Sequence, residues 1–141
     1  MMIRILNSSL AGMLLFLLLD FVFFAGLKGS YFNTLGINEV FNSIFMDNQS
    51  LLLFLILIIP IGYLFIYSKI FQIFYLTALI TFSTMFIEDI GYMVGEILFV
   101  QKGTISLKGI ESEVRIYYVG REFVYYREFE NDVIQKKRIE N

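Results

Sequence analysis

The sequence predicts a membrane protein of the all-α class, with three transmembrane helices and a small C-terminal antiparallel β tail. Three apolar runs predict the helices: Leu10 to Leu27, Leu51 to Tyr67 and Phe71 to Ile87. At about 1.5 Å of rise per residue, a helical run of this length and its flanking residues span a hydrocarbon layer of roughly 30 Å. From Gln101 onward a period-two alternation replaces these runs and predicts strands.

Composition supports this class. Hydrophobic residues make up 57% of the 141 residues, and the mean hydropathy of +0.71 lies well above that of an ordinary soluble domain. We therefore expect a transmembrane domain over residues 1–100, with an interfacial loop at 28–50, and a soluble β-meander tail over residues 101–141.

The first run follows Asn7, Ser8 and Ser9, whose side-chain oxygens suit the free N–H groups of a helix start. This predicts that the first helix begins near residue 8. The run contains Asp20 past its middle, between Leu19 and Phe21.

The interfacial loop mixes aromatic and aliphatic residues with Asn, Glu and Asp. Two interpretations of residues 38–46 stand equal. In one, a helical turn or two dips Val40, Phe41, Ile44 and Phe45 into the headgroup zone. In the other, the segment is a loop that caps the helices.

The second run contains Pro60 and Gly62, which predict a kink between Ile56 and Pro60. The dipeptide at 68–69 is the only evident break before the third run. The second and third runs are therefore predicted to form an antiparallel hairpin.

The third run keeps its apolar character past Glu88 and Asp89 as far as Val100. Either the span ends at Ile87 and residues 90–100 lie along the surface, or one long helix runs over 71–100. We expect the long helix, unbroken or gently bent.

The tail has its clearest alternation between Glu113 and Phe129 and predicts a hairpin with a two-residue turn at Gly120-Arg121. This turn predicts three cross-strand pairs: Tyr118 with Phe123, Ile116 with Tyr125, and Val114 with Arg127. Two further strands are expected at Thr104–Lys108 and Val133–Ile139, with turns at Gly109 and Asn131-Asp132. About 40 residues cannot bury much core, so we expect the sheet to lean on the membrane, a second copy or another protein.

Missing residue types exclude several chemistries. The chain has no Cys and no His, which rules out thiolate metal sites, thiol nucleophiles and imidazole bases. No phosphate-binding glycine loop and no nucleophile motif is present, so we expect no enzyme activity, no catalytic residue, no metal and no cofactor. The net charge of −2, with both signs mixed in the tail, argues against a nucleic-acid partner.

The most specific pattern is a polar stripe along the third predicted helix, in which small, hydroxylated or acidic residues recur every three or four positions. This spacing places them on one helical face. Small and hydroxylated residues allow close approach of helices in lipid, so the polar stripe predicts a helix–helix interface. Its members are Thr77, Thr81, Thr84, Glu88, Gly91 and Gly95.

Asp20 is predicted to be an intramembrane carboxylate. An unpaired charge in hydrocarbon costs at least about 2.5 to 3.5 kcal/mol, so Asp20 needs a partner or a neutral form. The candidate partners are the threonines of the polar stripe, a protonated Glu88, or a cation from another subunit. If the first helix instead starts near Ile3, Asp20 moves towards an interface.

These observations favour a multi-pass protein of a bacterial inner membrane that acts as a non-enzymatic accessory or assembly subunit. Its partners would be the lipid bilayer and other membrane protein subunits or a second copy. The alternative is a small oligomeric transporter or channel component that uses Asp20 and Glu88. The tail is expected to be cytoplasmic, because Lys28, Lys102 and Lys108 then lie inside.

Overall fold

The computed structural model describes residues 2–107, 110–129, 131 and 133–139. It is mostly helical and ends in a four-stranded antiparallel sheet, which confirms these two predicted features. The helices are α1 (Met2–Leu27), α2 (Phe41–Asp47), α3 (Leu51–Tyr67), α4 (Lys69–Ser83) and α5 (Glu88–Phe99). The strands are β1 (Gln101–Leu107), β2 (Ile110–Val119), β3 (Phe123–Glu128) and β4 (Gln135–Arg138), paired in chain order.

Two helices are long and apolar enough to cross a membrane. They are the 30 residues Ile3–Phe32, which combine α1 with a π-helical turn, and the 18 residues Lys69–Phe86. A third span is added if α2 and α3, which meet at an angle of 81°, count as one bent unit. These helices fit a membrane location.

Helices α1, α3 and α4 form an up-down-up bundle. Phe16 packs edge-to-face on Phe54, and Gly12 lies against the carbonyl of Ile58, so α3 runs antiparallel to α1. In contrast α4 runs parallel to α1, because the Tyr75 hydroxyl donates to the Leu15 carbonyl at 2.9 Å and Phe82 packs on Phe23 further along both helices. The loop 33–50, α5 and the sheet therefore lie at one end of the bundle.

The start of α1 corrects the prediction of a helix beginning near residue 8. The helix already begins at Met2, and Ser8 lies inside it, where its side chain is buried rather than capping a helix end. Asn7, Ser8 and Ser9 resemble a cap by residue type. In the structure Ser8 instead packs against Gly62 of α3.

The helix predicted over 71–100 is broken, so the expectation of one unbroken or gently bent helix is wrong. After α4 the chain forms a 3₁₀ turn at Thr84–Phe86, and Ile87 adopts an extended conformation with φ −78° and ψ 122° before α5 begins. The break inserts Met85, which is 6% exposed, beneath Gly26 of α1. The apolar sequence pattern continues through this break and does not indicate the 3₁₀ turn.

Residues 28–50 supply the centre of the hydrophobic core, and their place at a membrane interface stays a prediction. The π turn Lys28–Phe32 buries Tyr31 and Phe32 completely, and Ile37 and Ile44 are also fully buried. These side chains pack against α5 and against the tyrosines of β2 and β3. Residues 28–50 of the same chain thus supply the hydrophobic core that the sheet cannot form alone.

The hairpin register differs from the predicted one. Val119 pairs with Val124 and Tyr118 pairs with Tyr125, so the two-residue turn is Arg121-Glu122 and not Gly120-Arg121. The register then shifts at Tyr117, where a β-bulge places two consecutive tyrosines, Tyr117 and Tyr118, in buried positions. A strict period-two pattern cannot encode such an extra residue. Of the other predicted turns, Gly109 and Asp132 lie outside the described residues.

Candidate functional sites

Asp20 lies where α3 begins, at the end of the bundle nearest the sheet. Its carboxylate lies beside the side-chain amide of Gln49, and the two residues share a cavity of about 280 Å³ with Asn48 and Ser50. About 25 Å of helical rise separates Asp20 from Ile3 and about 18 Å separates it from Phe32, so Asp20 lies within the candidate span Ile3–Phe32 and past its middle. Gln49 was not among the partners predicted for Asp20.

The polar stripe is divided by the break before α5. Thr77, Thr81 and Thr84 donate hydrogen bonds to carbonyls of their own helical segment, those of Ile73, Thr77 and Thr81. Glu88 is exposed and accepts a 3.5 Å hydrogen bond from Thr34. The four side chains do not converge on Asp20.

The two glycines of the polar stripe are buried in the monomer. A Cβ on Gly91 would overlap the hydroxyl of Ser30, and a Cβ on Gly95 would overlap the ring of Tyr31. Both glycines therefore allow α5 to approach the π turn at the end of α1. Contact of the exposed Thr77 and Thr81 with a further helix stays a prediction.

A second close approach, between α1 and α3, was missed at the sequence level. Gly12 lies against the carbonyl of Ile58, and Gly62 lies against the carbonyl of Ser8, with no room for a Cβ at either glycine. Ser8 and Gly12 have the small-xxx-small spacing that brings membrane helices together. This spacing in α1 was the signal that could have found the contact.

A polar cleft of about 420 Å³ opens between the start of α2 and the β2–β3 hairpin. At its wall the hydroxyl of Tyr125 lies beside the carboxylate of Glu39, whose oxygen Oε1 is buried without a partner among the described residues. Gly120 permits this approach, because a Cβ there would stand 2.5 Å from Glu39 Oε1. The cleft is lined by Asn38, Glu39, Val40, Ser43, Arg121, Glu122, Phe123, Tyr125 and Lys136.

The cleft is closed on one side by an ion pair. Arg121, in the hairpin turn, donates to both carboxylate oxygens of Asp47 at 2.6 to 3.0 Å. Lys136 Nζ stands 5.0 Å from the ring centroid of Phe123. The arrangement holds α2 against the hairpin, and within the described part of the chain no group of three or more acidic residues is placed to hold a metal ion. The residues that line the cleft offer carboxylates, a phenol and cations, and no nucleophile among them is paired with a base.

Tyrosines beneath the cleft resist ionisation. Burial raises the pKa of Tyr118 to about 12, and the nearby carboxylates of Asp47 and Glu39 act in the same direction, whereas Asn48 and Arg121 act against them. Burial also raises the pKa of Tyr125 and Tyr126. The interface between loop and sheet is therefore built from neutral phenols.

This predicts a loss of stability in alkaline solution. Stabilisation from the neutral phenol of Tyr118 is complete below its ordinary pKa of 10.0 and is lost as the pH rises from there towards about 12. Unfolding of the purified protein, followed by circular dichroism at increasing pH, should show this fall. The stability of the variant Tyr118→Phe should fall less steeply with pH. An unchanged slope in that variant would contradict the assignment of this pH dependence to Tyr118.

No protein-family model, no curated protein and no solved structure matches the chain. The function is therefore inferred from the geometry of the chain itself.

Proposed function

We propose that the chain is a non-enzymatic, multi-pass accessory or assembly subunit of a larger membrane complex. In this proposal α1, α3 and α4 cross the bilayer, and the loop 33–50, α5 and the sheet stand together on one side of it. That side is the cytoplasm if Lys28 and Lys102, next to the helix ends, set the orientation. The bacterial inner membrane is the proposed location.

The observation that supports an accessory role most strongly is the outer face of α5. Gly91 and Gly95 use the opposite face to pack on the π turn, yet Met93 and Ile97 are 56% and 74% exposed. Helix α5 lies outside the candidate spans. Neighbouring apolar side chains that are exposed outside the membrane spans are typical of a protein interface.

The occupant that fits this face is a helix of a partner membrane protein. The four residues 84–87, which include the 3₁₀ turn, connect α4 to α5, so a partner helix that leaves the bilayer beside α4 would reach α5 next. The exposed Thr77 and Thr81 of α4 offer such a helix small, hydroxylated contacts within the lipid. One partner can thus cover both surfaces.

Co-purification tests this proposal. The tagged protein, purified in mild detergent, should carry a membrane partner in fixed ratio, and the double variant Met93→Gln/Ile97→Asn should lose it. Val119→Asn is the matched control, because Val119 is also apolar and 48% exposed but lies in the sheet. A wild-type monomer without any companion, or a double variant that keeps the partner, would reject the accessory role.

Asp20→Asn separates this proposal from a proton-coupled transporter. Asparagine has nearly the same size as aspartate and carries no charge at any pH, so an accessory subunit should retain its partner. A proton-dependent flux in proteoliposomes that is present in the wild type and abolished by Asp20→Asn would instead favour the transporter.

A further inference from the structure

A second cavity lies at the opposite end of the bundle from the sheet. It has a volume of about 480 Å³ and lies between α1 and α3, lined by Arg4, Ile5, Ser8, Ile59 and Tyr63. Because the two helices are antiparallel, Arg4 and Tyr63 lie towards the outer end of this N-terminal cleft and Ile59 lies one turn deeper. The cleft therefore has a polar mouth and an apolar floor.

Two polar groups of the N-terminal cleft are unused within the described chain. Ser8 is 1% exposed, and its hydroxyl has no hydrogen-bond partner. Arg4 is exposed and forms no ion pair with a described residue. A buried hydroxyl without a partner is unfavourable, which favours a ligand or solvent atom beside it.

Charge is segregated along the bundle. The chain has no Asp or Glu before Asp20 and none between Asn48 and Ile87. The end of the bundle that carries the N-terminal cleft therefore holds Arg4 and Lys69 without any acidic neighbour from α1, α3 or α4. Such an end attracts an anion.

We propose that the N-terminal cleft binds an anionic phospholipid. Its phosphate ester would contact the Arg4 guanidinium and accept hydrogen bonds from the Ser8 and Tyr63 hydroxyls, while an acyl chain follows Ile59 into the hydrocarbon layer. A basic pocket between membrane helices is a recognised type of lipid headgroup site. The proposal depends on the membrane placement of α1 and α3 and not on the accessory role.

Native mass spectrometry of the full chain in detergent tests this site. Phosphatidylglycerol should bind about fivefold more tightly than phosphatidylcholine with the same acyl chains, as expected for one cation near a lipid phosphate. Arg4→Gln should abolish this preference, whereas Ser8→Ala and Tyr63→Phe should weaken the binding of both lipids. Lys69→Gln is the matched control, since it removes a cation from the same end of the bundle but outside the cleft, and it should leave the preference intact.

Three outcomes would overturn the proposal. They are equal binding of both lipids to the wild type, a preference that survives Arg4→Gln, and an equal loss in Lys69→Gln, which would indicate general charge attraction. Glycerophosphoglycerol, the same headgroup without acyl chains, should not compete with the lipid. If it competes at equal concentration, the site recognises a soluble phosphate ester and the lipid assignment is wrong. Thermal unfolding of each variant checks that the fold is kept.

Discussion

Substitution of Gly12 or Gly62 by alanine is expected to destabilise the protein by about 2 to 3 kcal/mol, which is the upper part of the range for overpacked cores. A methyl group at either position would overlap a backbone carbonyl oxygen, that of Ile58 or of Ser8. Backbone cannot rotate away as a side chain can, so α1 and α3 must separate. Unfolding in detergent, followed by circular dichroism, measures the effect.

Gly29→Ala is the matched control for this prediction. Gly29 is also in a helical segment, but no atom lies within 4 Å of the position of its Cβ. Alanine is favoured over glycine in helices by about 1 kcal/mol, so this variant should be neutral or slightly stabilised. Equal behaviour of all three alanine variants would mean that the contact between α1 and α3 is not formed.

Substitution of Tyr31 by alanine is expected to cost about 3 to 5 kcal/mol, as for other large buried aromatic residues. Tyr31 is fully buried in the π turn and stacks on Phe99 with 5.8 Å between ring centroids. Its hydroxyl donates to the Tyr117 carbonyl in β2 at 3.1 Å. The substitution therefore removes a buried contact between the helices and the sheet, and amide hydrogen exchange in β2 should accelerate strongly.

The variant Tyr31→Phe separates the contribution of the ring to stability from that of the hydroxyl. It keeps the packing and removes one hydrogen bond, so the expected loss is about 1 kcal/mol. If Tyr31→Ala leaves the exchange of β2 amides unchanged, the sheet folds independently of the helices, and the account of residues 28–50 as a shared core is wrong.

The features that could be predicted from the sequence are those set by long periodic patterns. Long apolar runs indicate helices and a period of two indicates strands, so the helices of the bundle and the four strands were predicted, whereas the break between α4 and α5 was not. The β-bulge at Tyr117 adds one residue within an otherwise regular strand. Nothing in the alternation marks it, and the hairpin turn was therefore placed one residue too early.

Tertiary packing decided the features that could not be predicted. Tyr31, Phe32 and Ile44 stand among polar residues, which is typical of an interfacial loop, and only the approach of the sheet makes them core. The break before α5 contains neither Gly nor Pro, and Met85 is drawn inward by contact with Gly26. The contact between Gln49 and Asp20 likewise joins residues 29 positions apart.

Cysteine accessibility tests the membrane placement most directly, because the chain has no native Cys. Single cysteines at Lys69 and Ser106 should react with a membrane-impermeant maleimide from opposite sides of the bilayer. Cysteines at Ile56 and Ile80, which are 59% and 70% exposed in the isolated chain, should stay unreactive because lipid covers them. Rapid labelling at Ile56 and Ile80, or labelling of Lys69 and Ser106 from the same side, would contradict a bundle of three membrane-spanning helices that carries its sheet outside.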